Sequence, residues 1–138
     1  MDDDGLVEKA REAMERAYAP YSGFRVGAAL LAEDGSVHTG CNVENVSYGL
    51  TICAERAAVA GAVVRGMRKY QAVAIVTEAE GAVAPCGACR QVLTEFSPGM
   101  TIVSEGRGGR RAWRLHELIP DAFDELSGVR GRKDEIRS

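Results

Sequence analysis

The sequence predicts an α/β fold, a single domain in which helices pack on a small mixed β-sheet of about five strands. Three observations lead there. Segments with apolar residues at three- and four-residue spacing alternate with short β-branched runs, the pattern of helices laid on a sheet. No repeat or linker divides the 138 residues, which read as one domain over 1–138 with a core at about 6–123 and a polar tail over 124–138. Hydrophobic residues make up 46% of the chain, enough at this length for a core that needs no disulfide staples.

The elements follow in order. Over residues 6–18, Leu6, Val7, Ala10, Ala13, Met14 and Ala17 recur at helical spacing and predict an amphipathic helix that stops before Pro20. Residues 24–31 are rich in Val, Ala and Leu, Asp34-Gly35 offers a turn, and Val37, Thr39 and Cys41 alternate, which predicts a hairpin. A polar loop over 42–49 leads to Thr51, the expected N-cap of an Ala-rich helix reaching about Gly66. Residues 72–77, with Val73, Ile75 and Val76, predict a strand buried on both faces. After a loop over 78–84, Pro85 suits a helix start and residues 86–96 continue at helical spacing until Ser97-Pro98-Gly99. A short strand over 101–103, a Gly- and Arg-rich loop over 106–111, a last strand over 112–114 and a helical turn over 115–119 complete the reading.

Composition narrows the function. Seventeen Lys and Arg stand against 20 Asp and Glu, a net charge near -3, which argues against a protein that works by neutralising nucleic-acid phosphates. The cluster Arg107, Arg110, Arg111 and Arg114 reads as a solvated turn, and no Gly-rich phosphate loop is present. No run approaches the roughly 20 apolar residues of a membrane span, and residues 1–5 are acidic where a secretory leader would be basic and then apolar. The expectation is a cytoplasmic protein with a small-molecule partner, neither nucleic acid nor membrane. In that compartment closely spaced thiols bind metal or do chemistry more often than they pair.

Cys86-Gly87-Ala88-Cys89 places two thiols one helical turn apart, where they can share an ion. Cys53 falls at another helix start, so two helix N-termini would aim at one place and favour thiolates there. Zinc suits such a donor set. Three cysteines plus water make an open, catalytic site, whereas Cys41 as a fourth ligand would make a closed, structural one. The alternation of Cys41 with Val37 and Thr39 favours a small strand side chain. His38, out of phase with the apolar face of its strand, and His116, among charged residues, read as solvated or locally bonded rings. Glu55, in the first helical turn after Cys53, can stand beside the metal without binding it, the place of a general acid and base. A first-turn carboxylate can also merely complement the helix dipole. Arg56, three residues after Cys53, is on its face and is expected to donate hydrogen bonds to the thiolates; a surface ion pair is the simpler role.

With Cys53-Ala54-Glu55 and Pro85-Cys86-Gly87-Ala88-Cys89 in view, the chain resembles the small zinc-dependent cytidine deaminases of the three-cysteine, homotetrameric type. The likeness runs from Tyr18 to Phe123 and includes the stretch Pro20-Tyr21-Ser22-Gly23-Phe24-Arg25-Val26-Gly27-Ala28-Ala29, then Gly40-Cys41-Asn42-Val43-Glu44-Asn45, Ser47-Tyr48-Gly49 and Ile119-Pro120-Asp121-Ala122-Phe123. It implies one zinc per subunit held by Cys53, Cys86 and Cys89, with Glu55 as proton shuttle. It further implies Asn42 and Glu44 on the ribose 3'-hydroxyl, Phe24 against the pyrimidine and the backbone of Ala54 meeting the base. Tyr48 and Phe123 would complete a neighbouring subunit's pocket. Val46 stands where the family often has Ala. The implied reaction is hydrolytic deamination of cytidine and deoxycytidine in pyrimidine salvage: hydroxide on the zinc attacks C4, Glu55 moves the proton to N3 and then to the departing amine, and ammonia leaves.

Two alternatives stay open. One is a related aminohydrolase acting on another cytosine nucleoside such as blasticidin. The other is a non-enzymatic zinc module in which Cys41 closes a four-cysteine site.

Overall fold

The computed structural model describes residues 1–124, and the expected tail beyond Asp124 lies outside them. Its elements are α1 (Asp3–Met14), β1 (Val26–Ala32), β2 (Val37–Cys41), a 3-10 turn (Tyr48–Leu50), α2 (Ala54–Val64), β3 (Tyr70–Thr77), α3 (Gly87–Phe96), β4 (Thr101–Glu105), β5 (Arg110–Arg114) and α4 (Leu115–Leu118). The five strands form one mixed sheet in the order β2-β1-β3-β4-β5. β3 and β4 run parallel, joined through α3, and the other neighbours are antiparallel.

Alternation sorts the two faces of the sheet. Ala29 and Leu31 of β1 and Ala72, Ala74 and Val76 of β3 face the apolar stripe of α1, made by Leu6, Val7, Ala10 and Met14. Ala28, Leu30, Val73, Ile75 and Ile102 face the other way, against Ala54, Ala58 and Ala62 of α2 and Leu93 of α3. Successive strand residues point to opposite faces, so a strand covered on both sides is apolar throughout, as β1 and β3 are. Small side chains on α2 let it lie close to β2. A Cβ on Gly40 would stand 2.5 Å from both the Ala54 carbonyl oxygen and the Ala58 nitrogen.

Several boundaries differ from expectation. α1 starts at the Asp2 cap, which accepts from the Gly5 amide at 2.9 Å, and it ends at Met14 rather than running to Tyr18. The reason is competition, since Tyr18 donates its N–H to Asn42 and forms a strand-like bridge with Val43. Cys53, not Thr51, caps α2, and Gly66, with a φ of 85°, ends it by taking the left-handed turn that side chains disfavour. β5 extends back to Arg110, which corrects the reading of its arginines as a solvated turn. Arg110 pairs with Asp4 at 2.6 Å and Glu105 at 2.9 Å, Arg111 stacks over Trp113 at 4.8 Å, and Arg114 donates to the Gly99 carbonyl at 3.0 Å. Of the two roles expected for His38, the local bond holds: the ring is 7% exposed and bonded to Ser36 Oγ at 2.9 Å. Among the described residues, no helix is long and apolar enough to cross a membrane.

Candidate active site

Two helix starts meet where β3 ends. Cys53 caps α2 and Cys86 caps α3, both with extended backbone. Cys89, one turn into α3, is fully buried, and its amide donates to the Cys86 sulfur at 3.5 Å. The three sulfurs lie within 4.8 Å of one another, and Cys53 and Cys86 are 3.9 Å apart. A tetrahedral zinc with Zn–S bonds of about 2.3 Å needs sulfurs about 3.8 Å apart, so the trio fits one zinc ion with little adjustment. Cys41 stands apart on β2, opposite Gly27, and the closed four-thiolate arrangement is not assembled.

Electrostatics favour a thiolate at Cys53. The Cys89 thiol donates to Cys53, and with the Arg56 guanidinium and the Cys86 thiol it pushes Cys53 down to about 5. Cys89 is held up in turn, first by that bond and then by burial, so Cys53 and Cys89 hold their protons unequally. Arg56 Nη2 donates to the Cys53 sulfur at 3.4 Å and to the Thr51 carbonyl at 3.5 Å, placing the guanidinium on the thiolates rather than in a surface ion pair. Its buried Nε has no hydrogen-bond partner among the described residues.

Glu55 is 5% exposed and faces Cys53 and Cys89. Burial raises its carboxyl above the usual carboxylate range, and the negative Cys53 adds to the effect. A carboxyl in this state holds a proton more readily than an exposed one. The opposite-face problem of an i to i+2 spacing is removed by the cap, because Cys53 is outside the helix and Glu55 is only its second residue.

Cys53, Cys86 and Glu55 line a cleft of about 240 Å³ together with Phe24, Asn42 and Ala54. The sequence reading did not single out Val26, Ile75, Thr77, Val83 and Ala84, which complete its walls. One signal points to them: they sit where β3 ends, β1 begins and the loop before Cys86 passes, and ligands of α/β sheets gather at carboxyl ends of strands. Asn42 turns its amide onto its own chain, accepting from Val26 N at 2.9 Å and donating to the Phe24 carbonyl at 2.8 Å. Glu44 accepts from the amides of Tyr21 and Ser22 at 2.9 and 3.1 Å and from the Ser22 hydroxyl. It lines an adjoining cavity of about 410 Å³ with Tyr21, Ser22, Tyr48 and Thr51, the last of which borders both spaces. Tyr48 and Phe123 are not in the cleft of their own chain; they are 75% and 63% exposed.

The family described as the cytidine and deoxycytidylate deaminase zinc-binding region matches residues 1–105. A cytidine deaminase of Sporosarcina psychrophila is 47% identical over 127 residues, covering 91% of this chain and 93% of that protein. One from Halalkalibacterium halodurans is 50% identical over 125 residues, covering 89% and 95%. The crystal structure of cytidine deaminase from Burkholderia pseudomallei superposes with a TM-score of 0.86 at 50% identity, over 89% of this chain and all of that one.

Proposed function

The chain belongs to the cytidine deaminase family, zinc-dependent hydrolases, and from that premise we propose that it hydrolyses cytidine and deoxycytidine to uridine and deoxyuridine, releasing ammonia. The observation that carries the reading is a cluster of three thiols, two of which line a single cleft together with a buried carboxyl. Zinc held by Cys53, Cys86 and Cys89 would make a bound water acidic enough to react near neutral pH. Glu55 would carry one proton of the attacking water to N3 of the base, where the product keeps it. It would then pass the second, from the hydroxyl added at C4, to the amino group, so that the C4–N bond breaks, ammonia leaves and a C4 carbonyl remains. Its raised affinity for protons suits both tasks. Arg56 withdraws charge from Cys53, which keeps three thiolates from blunting the metal.

Phe24 is the wall against which the pyrimidine rests, and the backbone at Ala54 meets the base edge. Asn42 and Glu44 meet the ribose, and the bonds they make within their own chain hold that side of the cleft in place. Tyr48 and Phe123 complete the cleft of a neighbouring subunit in a homotetramer. Support for the assembly comes from exposed apolar side chains on adjoining segments, Tyr18, Tyr21, Val46, Tyr48, Leu50 and Ile52. Bridges from Val43 to Tyr18 and to Ile52 tie those segments together. One domain over 1–138, a cytoplasmic location and a place in pyrimidine salvage complete the reading, and the free cysteines suit a reducing compartment.

The test is ammonia release by the zinc-loaded protein from cytidine, deoxycytidine, cytosine, CMP and blasticidin, beside Glu55→Ala. Release from the two nucleosides, abolished in Glu55→Ala with zinc retained, is expected. Release confined to blasticidin would move the substrate, and no release from any of them would overturn the reading.

A further inference from the structure

We propose that Arg25 and Glu78 are a positioning pair that sets the pyrimidine wall of the cleft, and so act on nucleoside binding rather than on the chemical step. The inference rests on the cytidine deaminase reading above.

The wall is built on unusual backbone. Residues 20–25 lie ahead of β1 and outside the sheet ladder, so their backbone groups need other partners. Gly23 N finds the Ala19 carbonyl at 2.9 Å, and side chains accept from the other N–H groups. Phe24 N donates to Ser22 Oγ at 3.0 Å, the Phe24 carbonyl accepts from Asn42, and Val26 N donates to Asn42. Between them, Arg25 N donates to Glu78 Oε2 at 3.1 Å.

Glu78 also takes the guanidinium of Arg25, whose Nε and Nη2 reach Oε1 at 2.8 and 2.7 Å. Glu15, just past the end of α1, reaches Arg25 Nη1 at 3.4 Å. One carboxylate thus fixes both the backbone and the side chain of the residue that follows Phe24. Glu78 itself follows Thr77, and Thr77 pairs with Val26 across the sheet. Val26, Thr77 and Phe24 all line the cleft, so the pair sits on the outer side of the corner whose inner side would meet the base. Glu78 is only 18% exposed, and charge-assisted bonds of this kind are stronger and more directional than neutral ones. Losing them frees the Phe24 ledge without touching the thiols or Glu55, which stand on α2 and α3.

The experiment uses the zinc-loaded full chain and measures kcat, KM for cytidine, the inhibition constant of uridine, and zinc content. Glu78→Ala is expected to raise KM and the uridine constant about tenfold, the weight of a lost charge-assisted bond, with kcat within about twofold and zinc unchanged. Glu78→Gln can still accept from Arg25 N and should raise both constants less. Arg25→Lys should recover part of what Arg25→Ala loses. A pair that served folding alone would lower the unfolding temperature and leave KM of the zinc-loaded enzyme where it was. Unchanged KM in Glu78→Ala and Arg25→Ala, or a fall confined to kcat, overturns the proposal. Where Glu78→Ala does not fold, Glu78→Gln decides by the same criterion. A wild-type chain inactive on cytidine overturns the deaminase reading first, and this proposal with it.

Discussion

Gly40→Ala should uncouple the metal centre from an otherwise intact sheet. The added methyl carbon would stand 2.5 Å from the Ala54 oxygen and the Ala58 nitrogen and 3.0 Å from the Ala57 Cβ. Two of these atoms belong to helix backbone, which cannot rotate away. Restoring an ordinary contact near 3.4 Å requires α2 to retreat from β2 by about 0.9 Å. Ala54 is the residue after Cys53, so Cys53 and Glu55 travel with the helix start while Cys86 and Cys89 stay on α3. Metal–ligand distances tolerate about 0.2 Å, and a misplacement of about 1 Å at a reacting group costs on the order of a hundredfold in rate. The stability cost of such overpacking is about 1–3 kcal/mol, or a fall of about 4–12 °C in Tm. The assay is zinc content after dialysis against a chelator, kcat/KM for cytidine and thermal unfolding. Gly81→Ala, with nothing within 4 Å of the new atom, serves as the control. A Gly40→Ala protein with unaltered Tm, zinc content and turnover would refute the claim that close helix-to-strand contact sets the site.

Three further outcomes are expected. Arg56→Ala removes a donor that lies 3.4 Å from the Cys53 sulfur; zinc retention should weaken towards acid pH and turnover fall about 10–100-fold, and unchanged values for both would show that the guanidinium does not support the thiolates. Cys41→Ser should keep zinc and activity because Cys41 is outside the thiol cluster, whereas metal loss with unfolding would restore the closed four-cysteine module. The Glu105 carboxylate is held below its ordinary value of 4.5, first by the Arg11 hydrogen bond and then by Arg110. A lowered folded-state value means that its stabilisation is complete above about pH 4.5 and is lost as pH falls through that lowered value. Glu105→Gln should therefore be less stable than wild type at pH 7, by an amount that shrinks in acid and in high salt. A difference in unfolding midpoint that stays constant from pH 7 to about pH 3 would contradict this.

Much of the site is legible without coordinates because its chemistry needs particular atoms at short spacing. Cys86 and Cys89 are three apart, and Cys53 and Glu55 two apart, so each pair is local and any helix start would present it in nearly one way. The elements were equally readable where periodicity is strong, as in α3 and β3. Boundaries shifted where a distant partner competes: Tyr18 leaves α1 for Val43, and the arginines of β5 are ordered by Asp4, Glu105 and Trp113 rather than by solvent. Those partners are up to 106 residues away along the chain, and no local pattern announces them.

The sequence by itself determined which residue types are available: thiols enough for one zinc, a carboxyl beside them, an aromatic and an amide for a nucleoside, and no charge surplus for a polyanion. Only the tertiary structure decided which of them meet. It separated Cys41 from the other thiols, buried Glu55 so that its carboxyl holds a proton more firmly, and spent the hydrogen bonds of Asn42, Glu44 and Glu78 on the ledge that carries Phe24. The physical reason is that residue type and short spacing are properties of the chain, whereas burial and the partners of a polar group are set by segments that meet only when the chain folds.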